Sequence, residues 1–274
     1  GLIHVSGLIT GGQSSGGLLS GAGAASEDLI KQLREAAKDD SIKAIVLRIN
    51  SPGGTAAGSQ EINQEVQRVR RESHKKVYVS MGDVAASGGY YIASAADRIY
   101  ANGSTLTGSI GVISSFPQAQ GLMGKLGLGM KVMKSGRFKD SGSMFRPMSA
   151  EEEALFQKMV MGIYGQFVDA VSAGRKLPRD KVLALADGRV YTGVEAKKLG
   201  LVDELGNLQD TVLAAARAAG LKGEPTVRKI GEKGLLSSLM GDPESRANVV
   251  TTPSLNLLLD TRLLPMLPQM LRAQ

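Results

Sequence analysis

The chain has 274 residues, 42% of them hydrophobic, with 35 glycines, 4% aromatics, no cysteine and a formal net charge of +7. That length can bury a sizeable core in one domain and leaves room for an extension, while the absence of cysteine excludes disulfides, thiolate metal ligands and a cysteine nucleophile. Basic residues alternate with acidic ones, which reads as a generally cationic surface and not a nucleic-acid patch, and no run of ~18 apolar residues is available to span a membrane.

In chain order, "GLIHVSGLI" reads as a strand, with no signal peptide in these residues, and the Gly/Ser cluster "TGGQSSGGLLSGAGAAS" reads as a mobile surface loop. Ser26 opens a capped helix with Leu29, Leu33 and Ala36 or Ala37 on one face. "IKAIVLRINSPGG" is a buried strand ending at Pro52-Gly53-Gly54, followed by the helix "GSQEINQEVQRVRRES" and the strand "KKVYVSMG". A short helix, "SGGYYIASAA", then begins at Ser87, and "DRIYA" and the apolar part of "NGSTLTGSIGVISS" supply two more strands. Such alternation predicts an α/β fold with parallel strands, whose active sites gather at the strands' carboxyl ends. Both "NSPGG" and "AASGG" fall there.

Further along, "LGLGMKVMKSGRFKDSGSMFRPMS" predicts a short strand and then a Gly/Ser/Lys loop. Ser149 starts a long amphipathic helix with a capping-box Glu152 and Gly174 near its end, and small helices fill the stretch to residue 221. Prolines at 243, 253, 265 and 268 interrupt the tail, so 222–274 reads as an extension that docks on the body or on a neighbouring subunit.

Ser87, at a strand-to-helix turn followed by two glycines, is the candidate nucleophile. A Ser-His enzyme is disfavoured by inventory: the two histidines, His4 in an apolar strand and His74 in a charged run, read as structural or surface residues. A lysine amine is the other common activator, and Lys134 and Lys139 lie in the glycine-bounded loop, with Phe138 beside Lys139 as a desolvating neighbour. Gly53, Gly54 and the Gly88 amide can approach a developing oxyanion closely, because glycine has no Cβ.

Together "RINSPGG", "AASGGYYIASAAD", "TLTGSIGVI", "SGRFKD" and "DGRVYTGVEAKKLGLVDELG" resemble, in that order, the signal peptide peptidase A family of serine peptidases, over roughly residues 2–221. The resemblance implies a Clp protease/crotonase-like stack of strand-strand-helix units with C-terminal helices. It also implies the family's short single-unit form, which holds both members of a Ser-Lys dyad, here Ser87 and Lys139, in one catalytic unit, with Ser109 orienting the lysine and Gly53 or Gly54 with Gly88 forming the oxyanion hole. Those site residues are chemically sufficient without cofactor or metal, and no Walker-type glycine loop is present to imply ATP, while the resemblance implies assembly as a ring or dome of identical subunits. It would cleave released signal peptides and other apolar peptides at the outer face of the bacterial cytoplasmic membrane, this chain being a soluble fragment without the family's anchor and without a nucleic-acid partner. A crotonase-like acyl-CoA enzyme and a non-catalytic membrane-periphery scaffold are the alternatives.

Overall fold

A computed structural model describes residues 1–14 and 23–231. Of the glycine-rich loop expected over 10–26, residues 15–22 lie outside the described residues, as does the tail beyond 231, while Ala24 and Ala25 of that stretch are buried in a short strand. Strand β1 (Leu2–Ser6) is followed by two short strands, β2 (Ile9–Thr10) and β3 (Ala24–Ala25), that pair with each other. Helix α1 (Ser26–Lys38) buries Leu29, Leu33 and Ala36, as its spacing predicts. Ser26 is not its cap: the helix begins at Ser26 itself, whose hydroxyl donates to Glu61 at 2.7 Å, tying this helix to the next.

Next come β4 (Ala44–Ser51), α2 (Ala56–Glu72) and β5 (Lys76–Ala86). Strand β5 runs four residues past the predicted end at Gly82, because an irregularity lets Ile49 and Ser51 of β4 face Met81 and Ala85. Asn50 fills the resulting offset and accepts the Val84 N–H at 3.1 Å. The displaced end of β5 thereby becomes free to pair with a different strand from its first half.

Helix α3 (Gly88–Ser94), β6 (Arg98–Ala101) and β7 (Leu106–Gly108) follow, and β7 runs parallel to the end of β5 with Ala86 opposite Gly108. Beyond a small helix α4 (Gln120–Lys125), the strand expected near 126–134 does not form, and no backbone ladder partner lies there among the described residues. Helix α5 (Ala150–Arg175) has the predicted Ser149–Glu152 capping box. It ends through left-handed Lys176 and not at Gly174, which instead permits close packing: a Cβ there would lie 2.0 Å from the Ser94 carbonyl oxygen.

The described chain closes with α6 (Arg179–Leu185), β8 (Val190–Thr192), α7 (Gly193–Leu199), β9 (Glu204–Leu205) and α8 (Leu208–Ala218). The sheet order is β1-β4-β5-β6-β9, all parallel, with β7 on the upper half of β5 and β8 antiparallel to β7. Its Ile3, Leu47, Val79 and Met81 face α1, α2, α3 and the second half of α5, while Leu2, Val46 and Tyr78 pack under α8. Residues 225–231 return to the edge of β1, where Leu2 N–H donates to Arg228 C=O and Ile230 N–H to Leu2 C=O. Among the described residues no helix is long and apolar enough to cross a membrane.

Candidate active site

Ser87 is the single residue between β5 and α3, and its backbone sits at φ 51°, ψ −120°. A non-glycine residue in that region costs about 1–3 kcal/mol and persists only where the surroundings impose it. Two bonds do so: Ser87 N–H donates to Gly108 C=O at 2.8 Å, and Ser87 C=O accepts the Tyr91 N–H at 2.8 Å, the first bond of α3. Below it, buried Asn63 donates to Tyr91 C=O at 2.6 Å, and the Tyr91 ring stacks on Phe167 of α5 at 4.6 Å. Tyr90, fully buried, donates its hydroxyl to Leu201 C=O at 2.9 Å, and burial holds its phenol well above the ordinary range.

The "SPGG" turn lies directly against this elbow. A Cβ on Gly53 (φ 108°) would stand 2.8 Å from both Gly88 N and Ser87 Cβ, one on Gly88 would stand 2.3 Å from Ser59 Oγ, and one on Gly54 2.0 Å from Ile9 O. All three glycines are therefore required by contact. Their amides differ in use. Gly53 N–H donates to the buried Ser51 Oγ at 3.1 Å. Ile9 N–H donates to Gly53 C=O and Thr55 N–H to Ile9 C=O, bonds that pass over the Gly54 N–H. Gly88 N–H is one of the first-turn donors that a helix leaves unpaired. A Cβ on Gly88 would sit 3.3 Å from Gly54 N, so the two unclaimed amides are neighbours beside Ser87.

Ser109 follows Gly108, the residue that receives the Ser87 amide, and is half-buried at φ 49° with its N–H donating to Arg189 C=O at 2.8 Å. Tyr191 packs where a Gly108 Cβ would be, 2.6 Å from its ring, so the "DGRVYTG" segment braces the strand next to the serine. The structure thus gathers Ser87, Ser109, Gly53, Gly54 and Gly88 in one place.

Lys139 is not gathered with them. It lies exposed in the turn Gly136–Ser143, its N–H bonded to Gly136 C=O, and its ammonium makes no hydrogen bond to Ser87 or Ser109. Lys134, the other lysine of the loop, is engaged by Asp140 at 2.6 Å and by Arg137 C=O. His4, paired across from Arg48, and His74, at φ 57° after α2, are both exposed. Ser51, Ser59 and Asn63 support the site without having been singled out from sequence. Only Ser51 carried a signal, its place inside "NSPGG".

These features define an α/β protein with a strained serine on a strand-to-helix elbow, beside two free amides at the carboxyl edge of a parallel sheet. The Clp protease profile matches residues 22–104, which hold the elbow and the glycine turn. The profile of peptidase family S49 matches residues 69–222. A protein of Synechocystis sp. is 46% identical over 178 residues, 65% of this chain and 64% of its own length. Protease 4 of Haemophilus influenzae is 34% identical over 253 residues, 90% of this chain and 40% of its own, and the chloroplastic serine protease SPPA of Arabidopsis thaliana 38% over 208 residues, 75% and 30% respectively. The chain belongs to peptidase family S49, a serine peptidase family, and spans less than two thirds of the length of these relatives.

Proposed function

We propose that this chain is an ATP-independent serine endopeptidase in which Ser87 attacks the scissile carbonyl and Lys139, as a neutral amine, takes and returns the proton. The observation that carries this reading is the elbow: Ser87 is held in a costly conformation beside the Gly54 and Gly88 amides. Two neighbouring unclaimed donors beside the serine suit the oxyanion of a tetrahedral intermediate, and loss of one such donor typically costs ~10²–10³ in kcat. The Gly53 amide, taken up by Ser51, is the less suited of the two turn amides. Ser109 then serves to orient the incoming lysine.

Within one chain Lys139 does not reach Ser87, so the dyad needs a second copy to bring its lysine. In support, the segment that carries it is strongly apolar and uncovered: Ile113 is 87% and Met133 84% exposed, and Leu122, Leu126, Leu128, Leu155 and Met159 are exposed as well. Exposed apolar surface of that extent marks an interaction surface, here between identical subunits. The substrates we infer are released signal peptides and other apolar peptides. The site of action is the outer face of the bacterial cytoplasmic membrane, to whose anionic surface a net charge of +7 is attracted.

Hydrolysis of a fluorogenic apolar peptide tests this with Ser87→Ala, Lys139→Ala and an equimolar mixture of the two. Each variant alone should be inactive with its fold intact. After co-assembly from dissociated subunits the mixture should regain about a quarter of wild-type turnover, the chance of joining an intact serine to an intact lysine. Full activity in Lys139→Ala would reject the lysine as base, and a mixture that stays dead would reject its delivery by another subunit.

A further inference from the structure

Around Lys139 every polar neighbour is committed. Arg137 pairs with Glu151 at the head of α5 and lies over the Phe138 ring, 4.6 Å from its centroid. Asp140 accepts from Lys134 at 2.6 Å, and Ser141 donates to Glu152 at 2.8 Å. Arg146 stands at the centre: its Nε and Nη2 fork onto the two Asp140 oxygens at 2.9 and 2.8 Å, and its Nη1 reaches Glu152 at 2.9 Å. Glu152 also closes the α5 capping box by accepting the Ser149 N–H at 2.9 Å. Arg146 holds both carboxyls well below the usual carboxylate range, and Asp140 and Glu152 are themselves largely buried.

A planar guanidinium that bridges two carboxylates fixes angles as well as distances, which a flexible ammonium does not. One of those carboxylates is the residue next to Lys139, and the other is the N3 residue of a 26-residue helix. We propose that Arg146 is a positioning residue for Lys139, clamping the lysine's turn to the head of α5 through Asp140 and Glu152 so that the amine is presented in one place. This rests on the reading of Lys139 as the base. The charged groups that face the turn from all elements packed on it are Lys134, Arg137, Asp140, Arg146, Glu151 and Glu152, and Lys139 is the one side chain of the turn 137–141 with no polar or ring contact of its own among the described residues.

The test compares the assembled wild type with Arg146→Ala, Glu152→Gln and Lys139→Ala, with Arg179→Ala, which removes an exposed surface pair, as the control. Peptidase pH profiles are read beside competitive trace acetylation of each lysine, quantified by mass spectrometry over pH 7–11, and light scattering reports assembly. A misplacement of about 1 Å costs on the order of 10²-fold, so kcat should fall by about that factor in Arg146→Ala with KM little changed. The acetylation rate of Lys139 should change while those of distant lysines stay. Glu152→Gln preserves the capping box and should show a smaller loss with the same signature, deciding the matter if Arg146→Ala fails to fold. An inactive Lys139→Ala beside Arg146→Ala and Glu152→Gln variants with wild-type kcat and Lys139 reactivity would overturn the clamp alone. An active Lys139→Ala would overturn the dyad and the clamp together, and loss of kcat only alongside loss of the assembled species would reassign Arg146 to assembly.

Discussion

At Ser87 the conformational cost and the proposed chemistry have the same origin. Gly108 C=O and Tyr91 N–H hold the backbone at φ 51°, where an L-residue is disfavoured and glycine is not. Ser87→Gly should therefore raise the unfolding free energy by about 1 kcal/mol while abolishing turnover, and Ser87→Ala should abolish turnover at near wild-type stability. Denaturant unfolding of the two variants checks the difference, and equal midpoints would mean that the elbow stores no strain. Sequence reading found this residue through its glycine neighbours and its strand-to-helix setting. It did not find Asn63, since nothing local to a buried asparagine says that it will meet the Tyr91 carbonyl, 28 residues away, whereas Ser51 meets the amide of Gly53 within its own turn.

On the scale of elements, the informative piece is the turn that carries Lys139 and the helix head that anchors it. Asp140 and Glu152 are both depressed by Arg146, so their carboxylate forms are favoured by folding. The sign follows: this contribution is complete above the ordinary carboxylate pKa of about 4 and is lost as pH falls below it. Protection of the 136–152 segment from hydrogen exchange should accordingly fall between about pH 4 and pH 2, ahead of the sheet, whose contacts are apolar. Simultaneous loss of both would show that the clamp has no separate acid sensitivity. Tyr90 sets the opposite limit: its buried phenol is raised, so its contribution holds below the unfolded value of about 10 and is lost above it. Activity profiles that seek a lysine limb are best confined to the range below that point. Helix α5 and its capping box were readable from "SAEE" and the periodicity behind it, whereas the strand expected near 126–134 was not formed, because a strand needs a neighbour and the described residues provide none there.

For the whole molecule, the contrast lies between a well-packed body and an uncovered arm. Tyr90, Ile3, Leu47 and Met81 are fully enclosed, yet Leu155 and Met159, one turn apart on α5, face outward. A Leu155→Glu, Met159→Glu double variant should leave the melting temperature of the isolated subunit unchanged, as neither side chain is in its core, but shift the light-scattering mass toward the monomer. Peptidase activity should disappear with the assembly, and activity retained by a monomer would require a lysine within the same chain.

The sequence by itself determined the α/β alternation, the hydrophobic faces of the helices, the serine elbow and the two glycine turns, since each depends on periodicity or on the steric allowance of one or two residues. Only the tertiary structure decided the rest. It assigned the Gly53 amide to Ser51 and left Gly54 free, set Ser109 beside Ser87 through the register of β7 on β5, engaged Lys134 with Asp140, and left Lys139 apart from the serine. Those outcomes depend on which distant groups compete for one donor and on which strand fills the gap that an irregular β4–β5 pairing opens, and such competition is settled by packing in space.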